Sequence, residues 1–175
     1  MIGNNDRPLA VVGWGGTLTA QLLRRLTGCS VEELTPCQAV MAGDEHRYRA
    51  VVVENFDCYE RRTLSGCAAA RWALAHRTDV TVAALDDGEG QRLAGCGLPV
   101  FSYSDGLPQA DLTAENVRVR GNGLEFVALT RQELQRVRVP LGREPRLYDH
   151  LAALAGALAL GVPLELAAAR LAEGE

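Results

Sequence analysis

The stretch best equipped for chemistry is Gly13-Trp14-Gly15-Gly16-Thr17-Leu18-Thr19. Glycines let a backbone approach a ligand closely, and the free N–H groups at a helix N-terminus attract anions. A glycine-rich turn feeding a helix therefore suits a phosphate. A phosphate-cradling loop of the form G-x-x-x-x-G-K-[ST] also needs a lysine for the outer phosphates and a hydroxyl for magnesium. Thr17 stands at the lysine position and Leu18 at the hydroxyl position, and no lysine occurs in the 175 residues. Two readings stay open. Gly13, Gly15, Gly16, Thr17 and Thr19 bind a phosphate or other anion weakly, or the turn is a tight connection in which Trp14 fills the space a nucleotide would take. The second is preferred. A dinucleotide fingerprint fits less well: Gly13-Trp14-Gly15 is half of G-x-G-x-x-G, but its third glycine position holds Leu18. Its acidic partner, Asp44-Glu45, also lies beyond the ~20 residues that motif spans.

The carboxylates form the second constellation. Glu54, Asp57 and Asp86-Asp87 follow apolar runs, where hard oxygen ligands would meet a metal at a sheet's C-terminal edge. Their commoner roles are helix caps and solvated loop charges. His46, His76 and His150 are scattered, with no partner at ligand spacing, and read as surface residues. Cys58 and Cys67 lack a base nearby in sequence, as nucleophilic catalysis would require. Arg61-Arg62 reads as a solvated helix start, with carboxylate or phosphate binding as the sharper alternative.

The elements that position these residues follow from periodicity. Leu9–Val12, Ala50–Val53, Val80–Ala84 and Val100–Tyr103 are short apolar runs of the kind buried on both faces of a parallel sheet. Leu18, Leu22, Leu23 and Leu26 form one helical stripe, and Thr63 to His76 carries another. Between the strands, Ser30 to Glu33 has capping-box spacing for a one- or two-turn helix ending near Pro36, and Ala39-Val40-Met41 reads as a short strand. A short helix is expected around Gln91–Ala94. After Asp105 the pattern changes. Val117–Arg120 and Leu124–Leu129 flank Gly121-Asn122-Gly123, a hairpin signal in which the turn residues accept positive φ, and Val137–Val139 adds a third antiparallel strand. Asp149 caps an Ala/Leu-rich helix ending at Gly161, and Pro163 opens the last helix. The expected fold is a three-layer α/β domain with a mostly parallel, P-loop- or Rossmann-like sheet, a C-terminal antiparallel meander and two final helices.

Composition narrows the function classes. At 47% hydrophobic residues the chain can build a core, and a formal charge of −4 offers no basic face for nucleic acid. All eighteen basic residues are arginine. The five cysteines, odd in number and without C-x-x-C, read as reduced, mostly buried thiols of a cytoplasmic protein. No stretch resembles a signal peptide or a bilayer span, so no membrane association is expected.

The order of these parts resembles the central ATP-binding domain of the Mur ligases, the superfamily of peptidoglycan-precursor and folylpolyglutamate synthetases. The similarity is carried by Ala110-Asp111, Glu115-Asn116-Val117, Gly123 to Phe126, Val139 to Arg143 and Leu151 to Pro163, and it extends from about Leu9 to Leu171. Val52-Val53-Glu54 looks like the family's strand ending in a metal-binding glutamate, and Asp86-Asp87 like its acidic pair. The departures are systematic. The family's G-x-x-G-K-T-T becomes Gly13 to Thr19, Glu144-Pro145 replaces its H-N, its adenine-side asparagine is at best Asp149, and the asparagine before the acidic pair is Ala84. Its D-H segment and modified lysine have no counterpart between Glu54 and Thr78. The flanking substrate- and amino-acid-binding domains are absent from residues 1–175, leaving a single domain.

The resemblance implies acyl-phosphate formation followed by amine attack, a reaction that needs lysine and magnesium on the transferring phosphoryl group. The expectation is therefore a degenerate domain with a binding or regulatory role near cell-wall metabolism, with Gly13, Gly15, Gly16, Thr17, Thr19 and Asp149 as remnants of the nucleotide site and Glu54 of the metal site. Mg-ATP binding is expected to be weak and hydrolysis absent. The alternatives are an ATP-dependent ligase, alone or completed by another chain, and a Rossmann-like dinucleotide-binding protein. Trp14, Phe56 and Tyr59 are expected either to plug the old pocket or to anchor a homodimer or companion protein.

Overall fold

The computed structural model describes residues 7–13, 17–42, 45–54, 72, 74–140 and 146–173. Eight strands form one sheet in the order β2-β1-β3-β4-β5-β6-β7-β8. They are β1 (Leu9–Val12), β2 (Val31–Leu34), β3 (Tyr48–Val53), β4 (Thr78–Ala84), β5 (Val100–Ser104), β6 (Leu112–Arg120), β7 (Gly123–Leu129) and β8 (Leu134–Pro140). From β2 through β6 every neighbouring pair is parallel, while β6–β7 and β7–β8 are antiparallel. The four apolar runs are thus the parallel core strands, and the meander follows them.

Alternation along each strand builds two cores. Leu9, Val11, Ala50, Val52, Val82 and Ala84 face one side, against α1 (Thr17–Thr27), α4 (Leu147–Ala159) and α5 (Leu164–Ala172). Ala10, Val12, Val51 and Val53 face the other, against α2 (Pro36–Met41). There too Ala83 meets Leu93 of α3 (Gly88–Gly95). The result is a three-layer α/β fold. Leu151 and Leu154 of α4 are fully buried, each contributing roughly 1.5–3 kcal/mol of apolar transfer. Gly156 lets α4 lie close to the sheet: a Cβ there would stand 2.9 Å from Leu23 Cδ1 and 3.0 Å from Val52 Cγ2. Arginines tie α1 to α5, Arg25 donating to Arg170 O and Arg170 to Leu26 O.

Several local expectations are corrected. Val31–Leu34 is an edge strand paired with β1, and Pro36–Met41 is a helix. The capping box sits one element later: Thr35 Oγ1 accepts from Gln38 N at 3.3 Å, and Thr35 N donates to Gln38 Oε1 at 2.8 Å. Glu32 and Glu33 suit an edge, where charge discourages further pairing. Glu32 accepts from Tyr48 Oη, and Glu33 from Arg24. Asp149 is not a cap; it lies inside the first turn of α4, behind Arg146 at the N-cap. In the hairpin only Gly121 takes a positive φ, +57°, so Asn122 does not use its tolerance for that region. His150 is buried, accepting or donating at Nδ1 to Arg146 O at 2.8 Å, whereas His46 and His76 are exposed. Cys37 and Cys96 are exposed, and Cys29 is half-buried. Of the helix expected over Thr63 to His76, the described residues Trp72, Leu74 and Ala75 are helical. No helix among the described residues is long and apolar enough to cross a membrane.

Candidate functional site

The parallel strands β1, β3 and β4 end at a common edge, the place where open α/β sheets bind ligands. Gly13 follows β1, Glu54 follows β3, and Asp86-Asp87 follow β4. Two helices reach the same edge: α1 brings Thr19 in its first turn, and α4 brings Asp149 in its own. Thr19 Oγ1 donates to Glu54 Oε1 at 2.8 Å and stands 3.4 Å from Asp149 Oδ1. All three side chains are buried, Thr19 completely. One hydroxyl supplies one proton, so the shorter contact holds Glu54 and the longer one leaves Asp149 as a second acceptor beside it.

Gly13 is required by this arrangement. A Cβ on Gly13 would lie 1.8 Å from Glu54 Oε2, so the Glu54 carboxylate rests directly on the start of the glycine-rich turn. Arg146 approaches from the other side, its Nη1 3.7 Å from Asp149 Oδ2. Beneath the cluster, Tyr103 of β5 donates from Oη to Val53 O at 3.3 Å. Burial pushes the Tyr103 phenol well above its ordinary range, and the nearby charges of Glu54, Asp149 and Asp87 push it the same way. Sequence reasoning placed Tyr103 in a strand without assigning it a role. The parity of β5, which turns Tyr103 and Phe101 to one face, was the available signal.

The acidic pair after β4 does other work. Asp86 accepts from Ser104 Oγ at 2.7 Å and from Asp105 N at 3.3 Å, bracing the end of β5. Asp87 caps α3, its Oδ1 accepting from Glu89 N at 3.0 Å. Among the described residues no three His, Cys, Asp or Glu side chains gather at metal-binding spacing. Of the residues singled out in the sequence, Gly13, Thr19, Glu54 and Asp149 come together. Thr17 begins α1. Gly15, Gly16, Trp14, Phe56, Asp57, Cys58, Tyr59, Arg61, Arg62 and Cys67 lie outside the described residues.

A hydroxyl flanked by two carboxylates is hard-oxygen chemistry of the kind Mg²⁺ accepts. Glu54 and Asp149 are buried beside Gly13 and Thr19, Arg146 stands 3.7 Å from Asp149, and no lysine occurs in the 175 residues.

This fold, with its meander and two closing helices, is shared with part of the Mur ligases of known structure. Solved structures make the likeness specific. The UDP-N-acetylmuramoylalanyl-D-glutamyl-2,6-diaminopimelate–D-alanyl-D-alanyl ligase of Acinetobacter baumannii matches with a TM-score of 0.80 at 18% identity, over 98% of this chain and 47% of the ligase. The UDP-N-acetylmuramate-alanine ligase MurC of Thermotoga maritima matches at 0.74 and 13% identity, over 96% of this chain and 45% of that one. The UDP-N-acetylmuramate:L-alanyl-gamma-D-glutamyl-meso-diaminopimelate ligase of Neisseria meningitides matches at 0.70 and 17% identity, over 97% and 66%. The chain thus spans about half the length of the first of these ligases. No family model and no curated protein matches the sequence.

Proposed function

We propose that this chain is a Mur-ligase-like domain that has lost the ligase reaction and serves peptidoglycan-precursor metabolism as a binding or regulatory module in the cytoplasm. The observation that carries the reading is the Thr19–Glu54–Asp149 cluster seated on Gly13, where a phosphate-binding loop would need positive charge. Thr17 at the lysine position and Leu18 at the hydroxyl position support it. The nucleotide-site remnants are Gly13, Gly15, Gly16, Thr17, Thr19 and Asp149, and the metal-site remnant is Glu54. The missing charge-assisted contacts, about 1.5–3 kcal/mol each, weaken a micromolar Mg-ATP site toward millimolar. Calorimetric titration with Mg-ATP tests this: a dissociation constant near micromolar, or phosphate release above a heat-killed control, overturns it.

One observation favours the second reading, an ATP-dependent ligase completed by another chain. Thr19 and Glu54 set a hydroxyl and a carboxylate 2.8 Å apart, hard oxygen donors of the kind magnesium takes. Micromolar Mg-ATP binding in the same titration favours this reading over the first. A homodimer or companion protein, anchored by Trp14, Phe56 and Tyr59, belongs to the first reading, and light scattering behind a sizing column measures it.

A further inference from the structure

The outer face of the meander reverses the charge of the rest of the chain. Arg118 and Arg120 of β6, and Arg136 and Arg138 of β8, are exposed there, in a protein whose formal charge is −4. Cross-strand register sets them in rows: Arg118 opposite Glu125 opposite Arg138, and Glu115 opposite Val127 opposite Arg136. Glu125 is shared by its two neighbours, with Arg138 Nε 2.9 Å from Oε1 and Arg118 Nη2 3.1 Å from Oε2. Arg136 has no carboxylate partner among the described residues.

Between Arg118 and Arg136 lies a pocket of about 160 Å³ lined by Asn116, Arg118, Phe126, Val127 and Arg136. No carboxylate lines it. Its rim therefore offers two guanidinium groups, that of Arg118 shared with Glu125, and an amide. A β-bulge shapes the rim: the β6–β7 register shifts between Glu115 and Arg118, and Asn116 takes a left-handed φ of 54°. Bulges of this kind re-aim a side chain out of the regular pleat. Guanidinium groups match the planar or tetrahedral face of an oxyanion through paired N–H donors.

We propose that this cavity binds one oxyanion group, the phosphate or carboxylate end of a small molecule, through Arg118, Arg136 and Asn116. The site is separate from the glycine-rich turn and stands whether or not that turn binds nucleotide. Calorimetric titrations with inorganic phosphate and with acetate, at about 0.15 M salt to screen diffuse surface attraction, test it. Saturable binding to the whole chain is expected. Arg136→Ala and Arg136→Gln weaken it at least about tenfold, the loss of one charge-assisted contact. Asn116→Gly removes the amide while keeping the left-handed backbone, and weakens binding by less. Arg92→Ala, at an exposed arginine of α3 paired with Glu89, leaves it unchanged. Tighter phosphate assigns the site to a phosphate monoester, and tighter acetate assigns it to a carboxylate. Either result supports the site. Absence of saturation with both anions, or an equal loss in Arg92→Ala, overturns it.

Discussion

The Thr19 hydroxyl donates to Glu54 Oε1 at 2.8 Å, joining the first turn of α1 to the end of β3 across thirty-five positions of sequence. Thr19→Val keeps the shape and removes the proton donor. A hydrogen bond to a charged group is worth about 1.5–3 kcal/mol, so urea unfolding should show a loss of that size. In a Glu54→Gln background the same substitution should cost less, because the acceptor is no longer a carboxylate. Equal costs in both backgrounds would mean that the hydroxyl does not act through Glu54.

Two glycines of α3 should respond in opposite directions to alanine. At Gly90 a Cβ would stand 1.9 Å from Ala84 O, a backbone atom at the end of β4. Gly90→Ala therefore pushes the helix off the strand, at a cost of about 1–3 kcal/mol. At Gly95 a Cβ meets nothing within 4 Å, and alanine gains roughly 0.5–1 kcal/mol of helix propensity. In thermal scans Gly90→Ala should lower the midpoint by several degrees and Gly95→Ala should raise it by about 1–4 °C.

What the sequence disclosed followed burial on both faces. Leu9–Val12 and Ala50–Val53 are continuous apolar runs because helices cover them above and below. The edge strand β2 was hidden because its pattern, Val31-Glu32-Glu33-Leu34, answers to an edge with charged side chains reaching Tyr48 and Arg24, contacts that no local spacing encodes. Helix α2 was hidden by its length, six residues, too short for periodicity. At the site, Glu54 was legible from its place after a buried strand. Asp149, the second acceptor at Thr19, came only through the family likeness, since 130 residues separate the two. The role of Tyr103 depends on a main-chain acceptor, Val53 O, which side-chain types do not announce.

Tyr48 gives the alkaline limb of the stability profile. Its pKa is pushed from 10.0 to about 12, first by burial and then by the hydrogen bond its hydroxyl makes to Glu32, with the Glu32 charge adding to both. The folded state thus holds the phenol neutral more firmly than the unfolded chain does. The corresponding stability is complete below pH 10 and is lost as pH rises from 10 toward 12. Tyr48→Phe removes the titrating group. Denaturation followed across that range should fall more gently in Tyr48→Phe than in the parent, and parallel curves would show that Tyr48 does not govern the limb.

Glu125 governs the acid side of the meander and tunes the cavity beside it. Burial alone would raise its carboxyl, but the Arg118 hydrogen bond and the charges of Arg138, Arg118 and Arg120 outweigh that and hold it below 4.5. A carboxyl lowered in the folded state contributes stability above its unfolded value and loses it as pH falls through the folded one. Unfolding measured from about pH 7 to about pH 3 should therefore lose its acid dependence in part when Glu125 becomes glutamine. The same Glu125→Gln change removes the negative charge nearest Arg118 and leaves both cavity arginines in place. Inorganic phosphate should then bind a few-fold more tightly, as expected when a like charge is taken from the rim of an anion site. Unchanged phosphate affinity together with a flattened acid limb would confine Glu125 to tying β6 and β8 to β7, and would place any bound phosphate away from Arg118.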